Sequence, residues 1–206
     1  MRFVPVPSTF LIPLLLATMP ALAQRSGIGI KGGPLAAHTR SAVFSSQYVP
    51  GATAGIYAPI LGGSRFELQP EVLITAFGSG HTSPEGERYS VRTIYAQIPL
   101  SAKIYFTNTI NLQVGVQASK LILAEQTDPN GSSDITGSYD QNEFSVLLGA
   151  GADLRSGLDL TLRYHNGLTP ILVNDNALFP RNQAMMLTVG YRVFAFRAPR
   201  LPARRR

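Results

Sequence analysis

The chain has 206 residues, no cysteine and a formal net charge of +6. Without cysteine it has no disulfides, thiolate metal sites, Cys nucleophiles or lipoprotein anchor. The charge is uneven: Arg2 and five arginines between 197 and 206 are six of the 18 bases, leaving 12 bases against 12 acids from Gln24 to Phe196 and excluding a basic nucleic-acid face on that body.

Residues 1–23 read as a cleaved signal peptide. Arg2 gives a basic start, Phe10 to Ala17 an apolar stretch interrupted by Pro13, and Ala21-Leu22-Ala23 a small-x-small cleavage pattern before Gln24. The apolar stretch is shorter than the roughly 20 residues of a membrane-spanning helix. From Gln24 to Phe196 the recurring pattern is period-two alternation between Gly, Pro, Asn and Ser clusters, as in antiparallel strands.

Eight strands are expected, in order Ser26 to Gly33, Ala52 to Ala58, Ser64 to Phe77, Val91 to Phe106, Asn111 to about Ala124, Glu143 to Arg155, Gly157 to Leu168 and Ala184 to about Phe196. The seventh is the clearest: Leu158, Leu160, Leu162 and Tyr164 alternate with Asp159, Thr161, Arg163 and His165. In the eighth the phase is lost past Arg192, because Phe194 and Phe196 fall on the polar parity. The gaps alternate. Pro34 to Gly51, Gly78 to Ser90, Glu125 to Asn142 and Gly167 to Gln183 are long; Pro59 to Gly63, Thr107 to Ile110 and Ser156-Gly157 are short. Short periplasmic turns and longer outer loops mark a transmembrane barrel. Pro70 and Pro99 call for bulges or strand ends near the periplasmic rim, since neither can donate to a ladder. The tail, residues 197–206, is basic, Pro-interrupted and expected to be disordered.

Parity alone also fits a soluble lipocalin-like barrel. Long strands, a polar face rich in Gly, Ser, Thr and Gln with opposite charges, and the lack of a covering helix favour the bilayer. The expected fold is therefore all-β: an eight-stranded antiparallel transmembrane β-barrel over residues 24–196. Eight strands leave an interior just wide enough for side chains. The polar parity carries Lys31, Arg65, Glu67, Glu71, Lys103, Glu143, Asp153, Arg155, Asp159, Arg163 and Arg192, six bases and five acids expected to pair inside. Lys120 is the one evident charge on the apolar parity.

The motifs "GIKGG" (29–33), "LQPEVL" (68–73), "IPLSAKIYF" (98–106), "GAGADL" (149–154), "RYHNGL" (163–168) and "GYRVF" (190–194) follow a familiar order. In them the chain resembles the outer-membrane β-barrel family of porin-family or PorT-like proteins. The resemblance implies an eight-stranded barrel in a Gram-negative outer membrane and no defined activity, with a PorT-like role in export as one possibility. One departure is the basic tail, since many such barrels end on a terminal aromatic residue.

Candidate chemistry is sparse. His38, His81 and His165 are expected on the extracellular side, the first two in outer loops. His81-Thr82-Ser83 with Glu85 is a local triad candidate, but triads are defined by geometry. The three histidines have no metal-ligand spacing. Glu67 and Glu71 read as partners for Arg65, Arg155 or Arg163 rather than as an acid–base pair. The expectation is a non-enzymatic barrel without cofactor, structural or acting through its outer loops, in contact with outer-membrane lipid and, during biogenesis, with barrel-assembly machinery. A surface-acting barrel enzyme on lipid and a soluble binding barrel are the alternatives.

Overall fold

The structure is a computed structural model that describes residues 26–41, 46–60, 63, 65–82, 88–128, 131–172 and 179–196, with backbone only at 81, 82 and 88. The signal peptide and the tail read from the sequence lie outside these residues. The strands are β1 (Gly27–Arg40), β2 (Gln47–Tyr57), β3 (Phe66–Thr82), β4 (Arg88–Tyr105), β5 (Ile110–Asp128), β6 (Gly131–Asp134), β7 (Asn142–Asp153), β8 (Leu158–Gly167) and β9 (Arg181–Ala195).

Eight of them close a ring in the order β1-β2-β3-β4-β5-β7-β8-β9, with β9 returning to β1. All neighbours are antiparallel. The ring has no edge, so its backbone groups pair internally, as hydrocarbon requires. Outward positions form an apolar band: Ile30, Ile74, Ile98, Val116, Leu148 and Leu187 are each at least half exposed. A continuous band of this kind suits lipid and not water.

Four sequence expectations are corrected. First, β6 is a ninth strand, within the stretch read as turns. It pairs with the end of β5, from Glu125↔Asp134 to Asp128↔Gly131, and stands outside the ring. Just beyond it, hydrogen bonds from the Thr136 side chain and backbone N–H hold the exposed Asp134 carboxyl below the usual range.

Second, three of the four expected long loops are largely strand: β1 runs to Arg40, β2 starts at Gln47, β3 reaches Thr82, β4 starts at Arg88 and β5 reaches Asp128. Proline and glycine made the strands look shorter. At Gly33-Pro34 the β1–β9 ladder skips from Gly32↔Val189 to Leu35↔Met186 and resumes in the same register. Pro99 is treated likewise, because the β3–β4 ladder skips from Pro70↔Leu100 to Leu73↔Gln97 without a slip. Both prolines thus flank or occupy a gap inside the ladder, not a bulge or a strand end. A missing donor is tolerated where no ladder bond is made.

Third, the β7–β8 turn is longer than Ser156-Gly157. Leu154 N–H bonds the Leu158 carbonyl at 2.7 Å, Gly157 N–H bonds the Leu154 carbonyl at 3.0 Å, and Gly157 takes φ +91°. This is a three-residue hairpin loop with glycine at the left-handed position.

Fourth, the lost phase in the last strand is a bulge. Ile28 faces Phe194 but Gly29 faces Arg192, so Val193 is the extra residue. A second bulge lies where Ile94 faces Leu123 and Tyr95 faces Leu121. It switches parity and turns both Leu121 and Ala124 inward.

Candidate functional site

Among the described residues the interior is the lumen, and its side chains are layered from the rim where β1 begins and β9 ends, the terminal rim, to the far rim. In the first layer, Lys103 Nζ donates to Asp159 at 2.6 Å and to both Asp153 oxygens at 3.2 Å, with Glu67 at 3.8 Å. The Tyr105 hydroxyl lies between Glu67 and Asp153, within hydrogen-bond reach of both. Thr161 donates to the other Asp159 oxygen at 2.8 Å.

In the second layer, Arg163 forks onto Glu71 at 2.8 and 3.0 Å. Lys31 and Gln69 also donate to Glu71, at 3.1 and 2.7 Å. A planar two-point contact is stronger and more specific than a point charge. Tyr57 is buried at this level, with Lys31 Nζ 5.3 Å from its ring centroid. A Cβ on Gly29 would stand 2.4 Å from its ring, so only glycine admits it there.

The third layer is a belt of neutral groups that ends on a carboxylate. It runs Thr53–Thr75 (2.8 Å), Thr75–Gln97 (2.7 Å), Gln97–Ser119 (3.4 Å) and Gln117–Ser119 (3.2 Å). It continues through Gln117–His165 (3.3 Å), His165–Glu143 (3.0 Å) and Asn182–Glu143 (2.9 Å). These residues come from β2, β3, β4, β5, β8, β7 and β9, so the belt ties seven of the eight ring strands.

The fourth layer is apolar. Leu35, Ala37, Phe77, Tyr95, Leu121, Ala124, Ala184 and Met186 form one buried cluster, with Ile135 and Tyr139 packed on it from the connection after β6. Phe77 meets Tyr95 edge-on at 5.8 Å and the His165 ring at 5.2 Å. The expectation of a wholly polar lumen is therefore corrected: its far end is greasy.

Of the eleven charged residues on the polar parity, eight are buried inside: Lys31, Glu67, Glu71, Lys103, Glu143, Asp153, Asp159 and Arg163. Arg192 is half-buried in β9 near the terminal rim, and its Nε has no hydrogen-bond partner. Arg65 and Arg155 are exposed. The first precedes Phe66, where β3 begins, and the second follows Asp153, where β7 ends. Parity has no meaning outside a strand, which is why both were misplaced. The near cancellation of charge is lost with them: among the described residues, three buried cations face five buried carboxylates. Tyr105 adds a donor for Glu67 and Asp153 beside Lys103, and Asn182 and His165 engage Glu143.

The histidines do not converge. His165 does not lead out to a loop; it is fully buried, with both ring nitrogens engaged. His38 lies in β1, not in a loop, with its ring packed at a tilt against Tyr48, 4.3 Å between centroids. His81 lies near the far end of β3, and its proposed companions Ser83 and Glu85 are outside the described residues. Among the described residues no group of three or more His, Cys, Asp or Glu is placed to hold a metal. Sequence reading missed His165, Tyr105 and Asn182 as network members. The parity of His165 placed it inward, but its distance from the loop was underestimated.

No curated protein matches the chain. Among solved structures it is similar to Neisserial surface protein A, at 16% identity and TM-score 0.53, over 81% of this chain and 97% of that one. It also aligns with Ail of Yersinia pestis bound to sucrose octasulfate (12% identity, TM-score 0.49, 82% and 99% covered) and with OprG of Pseudomonas aeruginosa (10%, 0.43, 86% and 99%). The first of these supports the barrel fold, and none carries the PorT-like name. A family model described as "Outer membrane protein beta-barrel domain" matches residues 20–173. The closed antiparallel ring, its apolar outer band and this match agree: the chain belongs to the outer membrane protein β-barrel domain family and is a protein of the outer membrane.

Proposed function

We propose that the chain is a non-enzymatic outer-membrane barrel with a side-chain-filled lumen, whose working surface is its outer rim. In this reading residues 1–23 direct export and are cleaved after Ala23. The short turns face the periplasm and the longer connections the exterior, as is usual for such barrels. Assembly machinery and outer-membrane lipid are its partners. The buried charges are structural: they fix strand register and fill the bore.

The observation that carries the reading is the apolar cluster stacked on the hydrogen-bonded belt, where Phe77, Tyr95 and His165 are packed together and almost fully buried. Eight-stranded barrels have an interior that side chains can fill. That the barrel is non-enzymatic is inferred from His165, the imidazole buried in the lumen network among the described residues. Its two nitrogens are held by Glu143 and Gln117 and its ring is covered by Phe77, so no substrate reaches it. The test is reconstitution into planar bilayers. The expected record shows no long-lived openings; steady, large-conductance openings would overturn the proposal.

A further inference from the structure

At the far rim the outward side chains change character. On β9 the exposed Val189, Leu187 and Met185 of the apolar band are followed on the same parity by the buried Gln183 and the half-buried Arg181. On β1, His38 stands opposite Gln183 and Arg40 opposite Arg181. Gln183 Nε2 donates to Asn166 of β8 at 2.7 Å, and the His38 ring packs at a tilt against Tyr48 of β2. A polar row thus crosses four neighbouring strands just above the last apolar residue, with two arginines one step higher. Arg181 is four residues beyond Met185, which is about 13 Å along a strand and about 10 Å along the normal of a tilted barrel, at headgroup depth.

Like charges directly opposite in a ladder are destabilising. Yet neither Arg40 nor Arg181 forms an ion pair among the described residues. The Arg181 guanidinium is further oriented over the Phe179 ring at 5.0 Å, and Phe179 takes φ +46°, a left-handed conformation rare for a bulky residue. Between them opens a cavity of about 430 Å³ lined by Arg40, Ser41, Asn166, Phe179, Arg181 and Gln183. Two guanidiniums with no counter-charge among the described residues, flanked by amides, form a receptor for a phosphate group.

We propose that this pocket binds the phosphate of an outer-leaflet glycolipid. Arg40 and Arg181 take the phosphate oxygens, Asn166 and Gln183 the sugar hydroxyls, and Met185 and Tyr164 lie beneath the acyl chains. A lipid is favoured over a free anion because the arginines share the outward parity of the lipid-facing band. The inference rests on the proposed orientation, with this rim facing the exterior, and stands apart from the closed-lumen reading.

The test uses the folded protein in detergent with diphosphorylated lipid A, dephosphorylated lipid A or inorganic phosphate, counting bound lipid by native mass spectrometry. One diphosphorylated lipid per barrel is expected. Arg40→Ala with Arg181→Ala should weaken it by about tenfold per arginine, the loss of a charge-assisted contact. Arg155→Ala, at the opposite rim, should change nothing. Heat-dependent gel migration checks that the double variant is folded; if it is not, Arg40→Lys with Arg181→Lys keeps the charge, loses the fork and should bind with reduced affinity. Equal retention of the dephosphorylated lipid, or equal loss in Arg155→Ala, overturns the proposal. So does displacement of the lipid by inorganic phosphate at the lipid's own concentration, which would mean a free-anion site.

Discussion

The two ends of the lumen are filled in opposite ways. Near the terminal rim, Lys103 and Arg163 are wrapped by Asp153, Asp159, Glu67 and Glu71, with almost no exposure to water. Near the far rim, Phe77, Tyr95, Leu121 and Met186 pack with no charge among them. Ion pairs are directional: they hold only when each strand stands in one register. Apolar packing is not directional, but it excludes water, and water would weaken the pairs below. The difference suggests a division of labour, with specificity at one end and sealing at the other.

The sharpest way to break this comparison is at Lys103. Lys103→Met leaves Asp153, Asp159 and Glu67 crowded without their cation and should lower unfolding stability by about 3–5 kcal/mol. The measurement is the urea midpoint of the refolded barrel, and conductance should stay silent because the apolar layer is intact. A loss below about 1 kcal/mol would show that this network is not worth what its burial implies.

Next is the seal itself. Phe77→Ala should cost about 3 kcal/mol through the cavity it leaves. Unlike the lysine variant, it should admit brief openings in planar bilayers and faster hydrogen exchange at Gln97 and Gln117. Silence in both measurements would place the seal elsewhere.

A smaller effect is expected at Gly29, between chain end and network. Gly29→Ala drives a methyl into the Tyr57 ring and should cost about 2 kcal/mol by overpacking. Adding Tyr57→Ala should make the Gly29 change nearly neutral in that background, read by the same urea midpoints. The smallest effects belong to Arg65→Ala and Arg155→Ala, each within about 0.5 kcal/mol because both side chains are exposed. A loss of several kcal/mol at either would return it to the lumen network.

Much of this barrel was legible in the sequence. Alternation in β8, where Leu160 and Leu162 face out and Asp159 and Arg163 face in, reads directly from period two. The up-and-down order followed from eight successive alternating segments, although the gaps between them do not alternate as expected. What was not legible had local physical causes. Pro34 and Pro99 look like strand breakers but sit at gaps in otherwise continuous ladders. The bulge at Ile28/Gly29 showed in the sequence only as a lost phase past Arg192, and the one at Ile94/Tyr95 was not recognised there. The apolar seal is built from single residues that break the polar rhythm of different strands, and each looks like noise until the ring brings them together. Partner choice was beyond reach for the same reason: Glu71 meets Arg163 across 92 residues of chain.

The seam between β1 and β9 has one more consequence. Twelve residue pairs join the two ends of the chain there, from Gly27↔Ala195 to Arg40↔Arg181. Until the final strand arrives, β1 and β8 both show a bare edge, and each unpaired backbone group in hydrocarbon costs several kcal/mol. A chain truncated before β9 thus has no resting form in the bilayer, and a stalled one is a target for proteolysis. Possession of the last fifteen-residue strand is an inspection that every copy passes or fails as a whole.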